Sequence, residues 1–118
     1  MYLFYGGIKM DAVDYYNSGH RKMREQDYIG AVSDYTSAIY GDKSTAPDAK
    51  DLEIMAYLNR GIANYNYSLG KNKFSTEIIM KISEALSDWE KVLEMDSNPD
   101  RRAQTMNLIE NLKQARDN

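Results

Sequence analysis

Two glycines that lie deep inside predicted helices constrain the fold of this chain more than any other feature. Gly19 lies in the stretch "SGHRKMREQDYIGAVSDYTSAI" and Gly61 lies in "AYLNRGIANYNYSLG". A glycine within a helix costs about 1 kcal/mol relative to alanine, so both positions need a compensating reason. That reason concerns first how the helices pack and only then what the protein does.

Apolar residues recur at helical spacing along the chain, and no segment shows the alternation typical of a strand. The pattern predicts an all-α fold with helices at about 11–25, 27–40, 47–69, 75–95 and 99–116. Asp11 followed by Asp14 resembles a capping box, Ser75 is the expected cap of the fourth helix, and Gly41 and Gly70 are the expected stops. The short turns between successive helices favour antiparallel hairpins.

The same pattern of residues follows both glycines. It has the order small residue, large aromatic residue, small or β-branched residue, with equal gaps: Ala31, Tyr35 and Ala38 after Gly19, and Ala85, Trp89 and Val92 after Gly61. A tyrosine also stands four residues before each glycine, at Tyr15 and Tyr57. These residues resemble the tetratricopeptide repeat, a helix–turn–helix unit of about 34 residues.

The resemblance implies how the helices of each unit pack. Gly19 is expected to contact Ala31, and Gly61 to contact Ala85, while the large aromatic residues fill the core. The last helix is expected to cap the stack, because a terminal hairpin otherwise leaves an apolar face in water. Gln26 stands where this family commonly has glycine.

The resemblance also implies a domain organisation. An apolar extension at 1–10 precedes one helical domain at 11–118, made of a first repeat at about 11–41, a second at about 48–97 and a capping helix at about 99–116. The second unit has a long insertion, which predicts an elongated hairpin. Apolar residues are expected to seal its protruding tip: Tyr67, Phe74, Ile78, Ile79 and Ile82.

In this family the first helices of the repeats line a concave groove that binds peptides. Mapped onto this chain, the groove residues are Val13, Tyr16, His20, Met23, Arg24, Met55, Leu58, Asn59, Ile62, Tyr65 and Asn66. Such a surface suits an amphipathic helix or an extended peptide. One subclass grips chaperone tails through a Lys, Asn and Arg clamp, but only Asn59 matches it here, so no chaperone-tail clamp is expected.

The leading hypothesis is therefore a non-enzymatic adaptor or scaffold that binds a peptide or helix of a partner protein. One alternative is that the last helix or the N-terminal segment already covers the groove. Another is that the chain self-associates into a homo-oligomer through the N-terminal segment or the elongated hairpin.

Composition argues against several other functions. Lys and Arg are scattered and the net charge is −3, which disfavours nucleic-acid and membrane binding. The chain has no cysteine and one histidine, so no metal, cofactor or catalytic residues are expected, and a cytoplasmic location fits. The carboxylates of the fourth helix are expected to form a solvated face: Glu84, Asp88, Glu90 and Glu94.

Overall fold

The fold is a succession of helices joined by short turns. The computed structural model describes residues 9–118, which form five helices and no strand. These are α1 (Ala12–Arg24), α2 (Tyr28–Tyr40), α3 (Ala49–Ser68), α4 (Thr76–Met95) and α5 (Pro99–Asp117). The all-α prediction is confirmed, and the expected apolar extension falls largely outside the described residues.

Local capping explains where the helices begin. The Asp11 carboxylate accepts from the Asp14 backbone N–H and the Asp14 carboxylate accepts from that of Asp11, both at 3.0 Å, which completes the expected capping box. Ser75 accepts from the Ile78 N–H at 3.2 Å, as expected. Helix α3 begins later than predicted, because Asp48, one residue after the proline, is the cap that accepts from the Asp51 N–H.

The turn between α1 and α2 is a Schellman motif. The Gln26 N–H donates to the Met23 carbonyl at 3.0 Å, and the Asp27 N–H donates to the Lys22 carbonyl at 2.9 Å. Gln26 has a φ of 61°, in the left-handed region that favours glycine. Gln26 stands where the repeats that this sequence resembles commonly have glycine, and its backbone conformation is one that glycine favours.

The helices pack in chain order. Each contacts the next, and α1 also contacts α3. Arg60 of α3 bonds both oxygens of Asp88 on α4, at 2.8 and 2.7 Å, and donates to the Thr36 hydroxyl of α2 at 3.1 Å. Asp88 is buried in this arrangement, so its expected place on a solvated face is wrong.

Each mid-helix glycine packs against an aromatic ring. A Cβ atom built on Gly19 would lie 2.6 Å from Cε1 of Tyr35, and one on Gly61 would lie 2.4 Å from Nε1 of Trp89. The atoms nearest to each glycine belong to the large aromatic residue, whose ring requires the space that a side chain would occupy. The expected contacts of the glycines with Ala31 and Ala85 stay predictions. The other repeat-packing residues are all fully buried: Ala31, Ala38, Ala85 and Val92.

The second hairpin is longer than the first, as predicted. Helices α3 and α4 have 20 residues each, whereas α1 and α2 have 13. The predicted seal of its tip is only partly formed. Ile78 is buried, but the side chains of Phe74 and Ile79 are 79% and 50% exposed.

Candidate functional site

Residues predicted for the groove lie in two rows, one on α1 and one on α3. Positions three or four apart share one side of a helix. We define the α1–α3 face by these rows: Tyr16, His20, Met23 and Arg24 of α1, and Met55, Asn59, Ile62 and Asn66 of α3. Seven of the eight are half-buried, Arg24 is exposed, and none is fully buried.

A side-chain hydrogen bond joins the two rows. The Asn59 amide donates to the Tyr16 hydroxyl at 3.3 Å and to the Met55 carbonyl at 2.9 Å. Burial raises the pKa of Tyr16, so its hydroxyl stays protonated at neutral pH. The structure therefore brings Tyr16, Met55 and Asn59 together, as predicted for one continuous surface.

An aromatic cluster fixes the α1 row. The ring centroids of Tyr16 and His20 are 4.3 Å apart, and Nδ1 of His20 lies 2.5 Å from the Tyr35 hydroxyl. Burial, with a smaller contribution from the charge of Arg24, lowers the pKa of His20, and burial raises that of Tyr35. Both groups are neutral at pH 7, so this is a hydrogen-bonded packing contact.

Helix α5 reaches the same region from its first turn. Arg101 pairs with Asp51 at 2.8 Å, and its guanidinium lies 3.6 Å from the Met55 sulfur. Arg101 also bonds both oxygens of Asp96 and lowers the pKa of that carboxyl. Side chains of α1 and α5 thus both contact α3, and the α3 row lies between them.

A cleft of about 210 Å³ opens at the start of the α3 row. Its lining includes the apolar side chains of Val13, Leu52 and Met55 and the carboxylates of Asp48 and Asp51. Sequence reasoning did not single out Asp51 as a face residue, although it stands four residues before Met55 on the same row. The four-residue spacing between Asp51 and Met55 would have been enough to identify Asp51 as a face residue.

Two predicted groove residues lie elsewhere. Leu58 is 2% exposed and packs in the core with Trp89, whose indole N–H donates to the Leu58 carbonyl at 3.2 Å, so its assignment to the groove is wrong. It is one residue from Asn59, which turns it about 100° around the helix and toward α4. Tyr65 stands edge-on to Trp89 with ring centroids 5.9 Å apart and lines a different cavity.

The last helix covers part of the predicted groove. Leu108, Ile109 and Leu112 of α5 pack in the cluster that also contains Ile62 and Tyr65. No comparable packing of α5 residues is found against Tyr16 or His20 among the described residues. The N-terminal segment, the other predicted cover, is largely outside the described range.

The described residues include no group of side chains that could bind a metal ion. Between residues 9 and 118, no three His, Asp or Glu side chains are grouped so that they could hold a metal ion. In the same range, no helix has the length and apolar character needed to cross a bilayer. Comparison of the chain with protein-family models, curated proteins and solved structures finds no match.

Proposed function

We propose that this protein is a non-enzymatic scaffold that binds a peptide or helix of a partner protein on the α1–α3 face. The observation that carries the proposal is the joined surface of Tyr16, Met55 and Asn59 beside an apolar cleft. Tyrosine and methionine supply large and adaptable contact area, and both are enriched at protein interfaces.

The fold assigned with this function is a tetratricopeptide-like stack of two hairpins and a capping helix. Support comes from the equivalence of the hairpins, since a glycine of the first helix packs against an aromatic residue of the second helix in both. Packing of α5 on α3 and α4 further supports a capping role for it.

We further propose that the protein acts in the cytoplasm, uses no cofactor and binds neither nucleic acid nor membrane. This proposal rests on the absence of cysteine and on the net charge of −3 with scattered basic residues. Association with a polyanion needs clustered Lys and Arg side chains to displace counterions.

Methionine methyl NMR tests the proposed face. Random linear peptides are selected on the full chain, and enriched peptides are titrated into protein labelled at the methionine methyl groups. We expect shifts at Met23 and Met55 of the face. Met80 and Met106, which are exposed on α4 and α5, serve as internal controls and are expected to stay unchanged.

The proposal fails if no peptide is enriched, or if enriched peptides shift Met80 or Met106 and leave Met23 and Met55 unmoved.

Self-association is a second candidate function, and exposed apolar residues on the long hairpin favour it. Phe74, Ile79 and Met80 are all at least half exposed there. Sedimentation of the full chain, of a chain beginning at Met10 and of a Phe74→Ser/Met80→Ser variant tests it. A concentration-dependent dimer that either change abolishes would support it, and a monomer in all three forms would reject it.

A further inference from the structure

A second cavity lies at the end of the long hairpin, and none of the eight residues that define the α1–α3 face lines it. It has a volume of about 170 Å³ and is enclosed by the end of α3, the start of α4 and the end of α5. Tyr65, Ile78, Ile82 and Leu112 form its apolar lining. Ile78 and Leu112 are themselves core residues, so this part of the lining is fixed by packing.

The polar lining of this cavity carries only positive charge. Lys71, Lys73 and Arg116 line it, and none of the described residues lining it is a carboxylate. The charge of this lining is opposite in sign to the net charge of the whole chain, which is −3. A ligand with negative charge is therefore favoured.

The two lysines interact with neutral groups in the described contacts. The Lys71 amine donates to the Tyr67 carbonyl at 2.7 Å and lies 4.1 Å from the centre of its ring. Lys73 lies 5.5 Å from the centre of the Phe74 ring. Arg116 is paired with Asp117 at 3.1 Å, so the lysines are the better partners for an incoming carboxylate.

The volume restricts what can enter. Sites for small molecules typically have about 300–1,000 Å³, and this cavity is smaller, with room for a single large apolar side chain. Leu69, which also lines it, is 55% exposed, and Ile79, three residues before Ile82 on α4, is 50% exposed. Apolar surface thus continues outside the cavity, as at protein interfaces.

We propose that this cavity binds an acidic segment of a partner protein, which inserts one Phe or Leu side chain. Carboxylates on either side of that anchor pair with Lys71 and Lys73, and the anchor fills the space against Ile78 and Leu112. A few side chains buried in well-packed pockets carry most of the binding energy at protein interfaces, and the contacts around them exclude water. The α1–α3 face takes no part, so this proposal stands apart from the proposed function.

Fluorescence anisotropy with a defined peptide tests the proposal. The probe is fluorescein-labelled Glu-Asp-Glu-Phe-Glu-Asp, and a second probe has serine in place of phenylalanine. We expect saturable binding of the first probe by the full chain and weaker binding of the second. Lys71→Glu/Lys73→Glu is expected to reduce affinity roughly tenfold or more, because two charge-assisted contacts are lost.

A charge-matched variant separates the site from net charge. Lys50→Glu/Lys91→Glu changes the net charge equally at lysines that do not line the cavity, and it is expected to bind like the original chain. Ala115→Phe, at an exposed α5 residue lining the cavity, is expected to block the probe without a charge change. Circular dichroism confirms that each variant is folded.

Three results would overturn the proposal. These are no saturable binding, equal binding of the phenylalanine and serine probes, or equal losses in the two double lysine variants. If the probe does not bind, binding of the chain to phosphatidylserine vesicles would assign the surface to a membrane. A dimer that Lys71→Glu/Lys73→Glu disrupts would, in the same case, assign it to a second copy.

Discussion

At the scale of single residues, the glycines at 19 and 61 leave room for the rings of Tyr35 and Trp89. Glycine lowers the helix propensity at both positions, and the packing of the two fully buried rings offsets that cost. A methyl group at either position would overlap the ring, since real Cβ atoms do not approach other side chains to 2.4 or 2.6 Å.

Gly61→Ala is therefore expected to destabilise the protein. The free energy of unfolding should fall by roughly 1–3 kcal/mol, even though alanine is the better helix former. Chemical denaturation followed by circular dichroism measures the change.

The same substitution in a Trp89→Leu background is the control. With the indole removed, alanine should no longer overlap it, and its helix propensity should raise stability by up to about 1 kcal/mol. If Trp89→Leu does not fold, Gly19→Ala with Tyr35→Leu gives the same comparison. A loss of equal size in both backgrounds would contradict the contact.

His20 gives the protein a pH-dependent stability. Its ordinary pKa is 6.5, and burial lowers the pKa in the folded state. Between the folded pKa and 6.5 the unfolded chain binds more protons, so this contribution is complete above about pH 6.5 and is lost as the pH falls through the folded pKa.

We expect the free energy of unfolding to fall more steeply from about pH 7 to about pH 5.5 in the original chain than in His20→Gln. Buried Asp88, whose pKa burial raises, contributes with the opposite sign in both proteins and cancels from the comparison. Parallel pH profiles for the two proteins would show that His20 titrates alike in the folded and unfolded states.

Single-residue assignments were predictable where helical spacing alone decides them. The family resemblance marked Tyr16 and Asn59, and helical spacing then groups each with its neighbours in one row. The assignment of Leu58 failed because a residue next to Asn59 can face the groove or the core, and only the position of α4 decides which. Which side chain contacts each glycine could not be predicted for a similar reason, because it depends on how deeply a neighbouring ring inserts.

At the scale of helices and turns, Gln26 has a strained backbone. Its φ of 61° completes the Schellman motif between α1 and α2, and an L-residue in that region costs about 1–2 kcal/mol. The family resemblance expected glycine at this position, and the turn retains the geometry that glycine favours.

Gln26→Gly is therefore expected to raise the free energy of unfolding by roughly 0.5–1 kcal/mol, after the larger chain entropy of glycine is subtracted. Glu25→Gly is the matched control, because Glu25 has an ordinary φ of −84° and should lose stability. Thermal unfolding of both variants checks the prediction. A lower stability of Gln26→Gly would mean that the turn does not require a left-handed residue.

The starts of α1 and α4 were predictable because caps are local. Asp11, Asp14 and Ser75 signal their helices through residues three apart, and the structure has those hydrogen bonds. The hairpin tip was not predictable in the same way. Burial of Phe74 and Ile79 depends on how far other helices extend beside the tip, which no local pattern encodes.

At the scale of the whole molecule, chain-order packing places side chains of α1, α3 and α5 near one another. Tyr16 and Arg101 come from distant parts of the sequence and both contact α3, one through Asn59 and the other through Asp51. The repeat pattern predicted the α1 and α3 rows. The contacts of Arg101 require the angle at which α5 leaves α4, which the sequence pattern does not specify.

The peptide affinity of two charge-matched variants tests the proposed binding of partners to the α1–α3 face. Arg24→Glu/Asn66→Glu alters the face, whereas Ser33→Glu/Lys91→Glu makes the same change in net charge on α2 and α4. With a peptide selected on the full chain, we predict roughly a tenfold or greater loss for the first variant and unchanged affinity for the second. Unchanged affinity for the first variant with a loss for the second would rule out the α1–α3 face as the binding site.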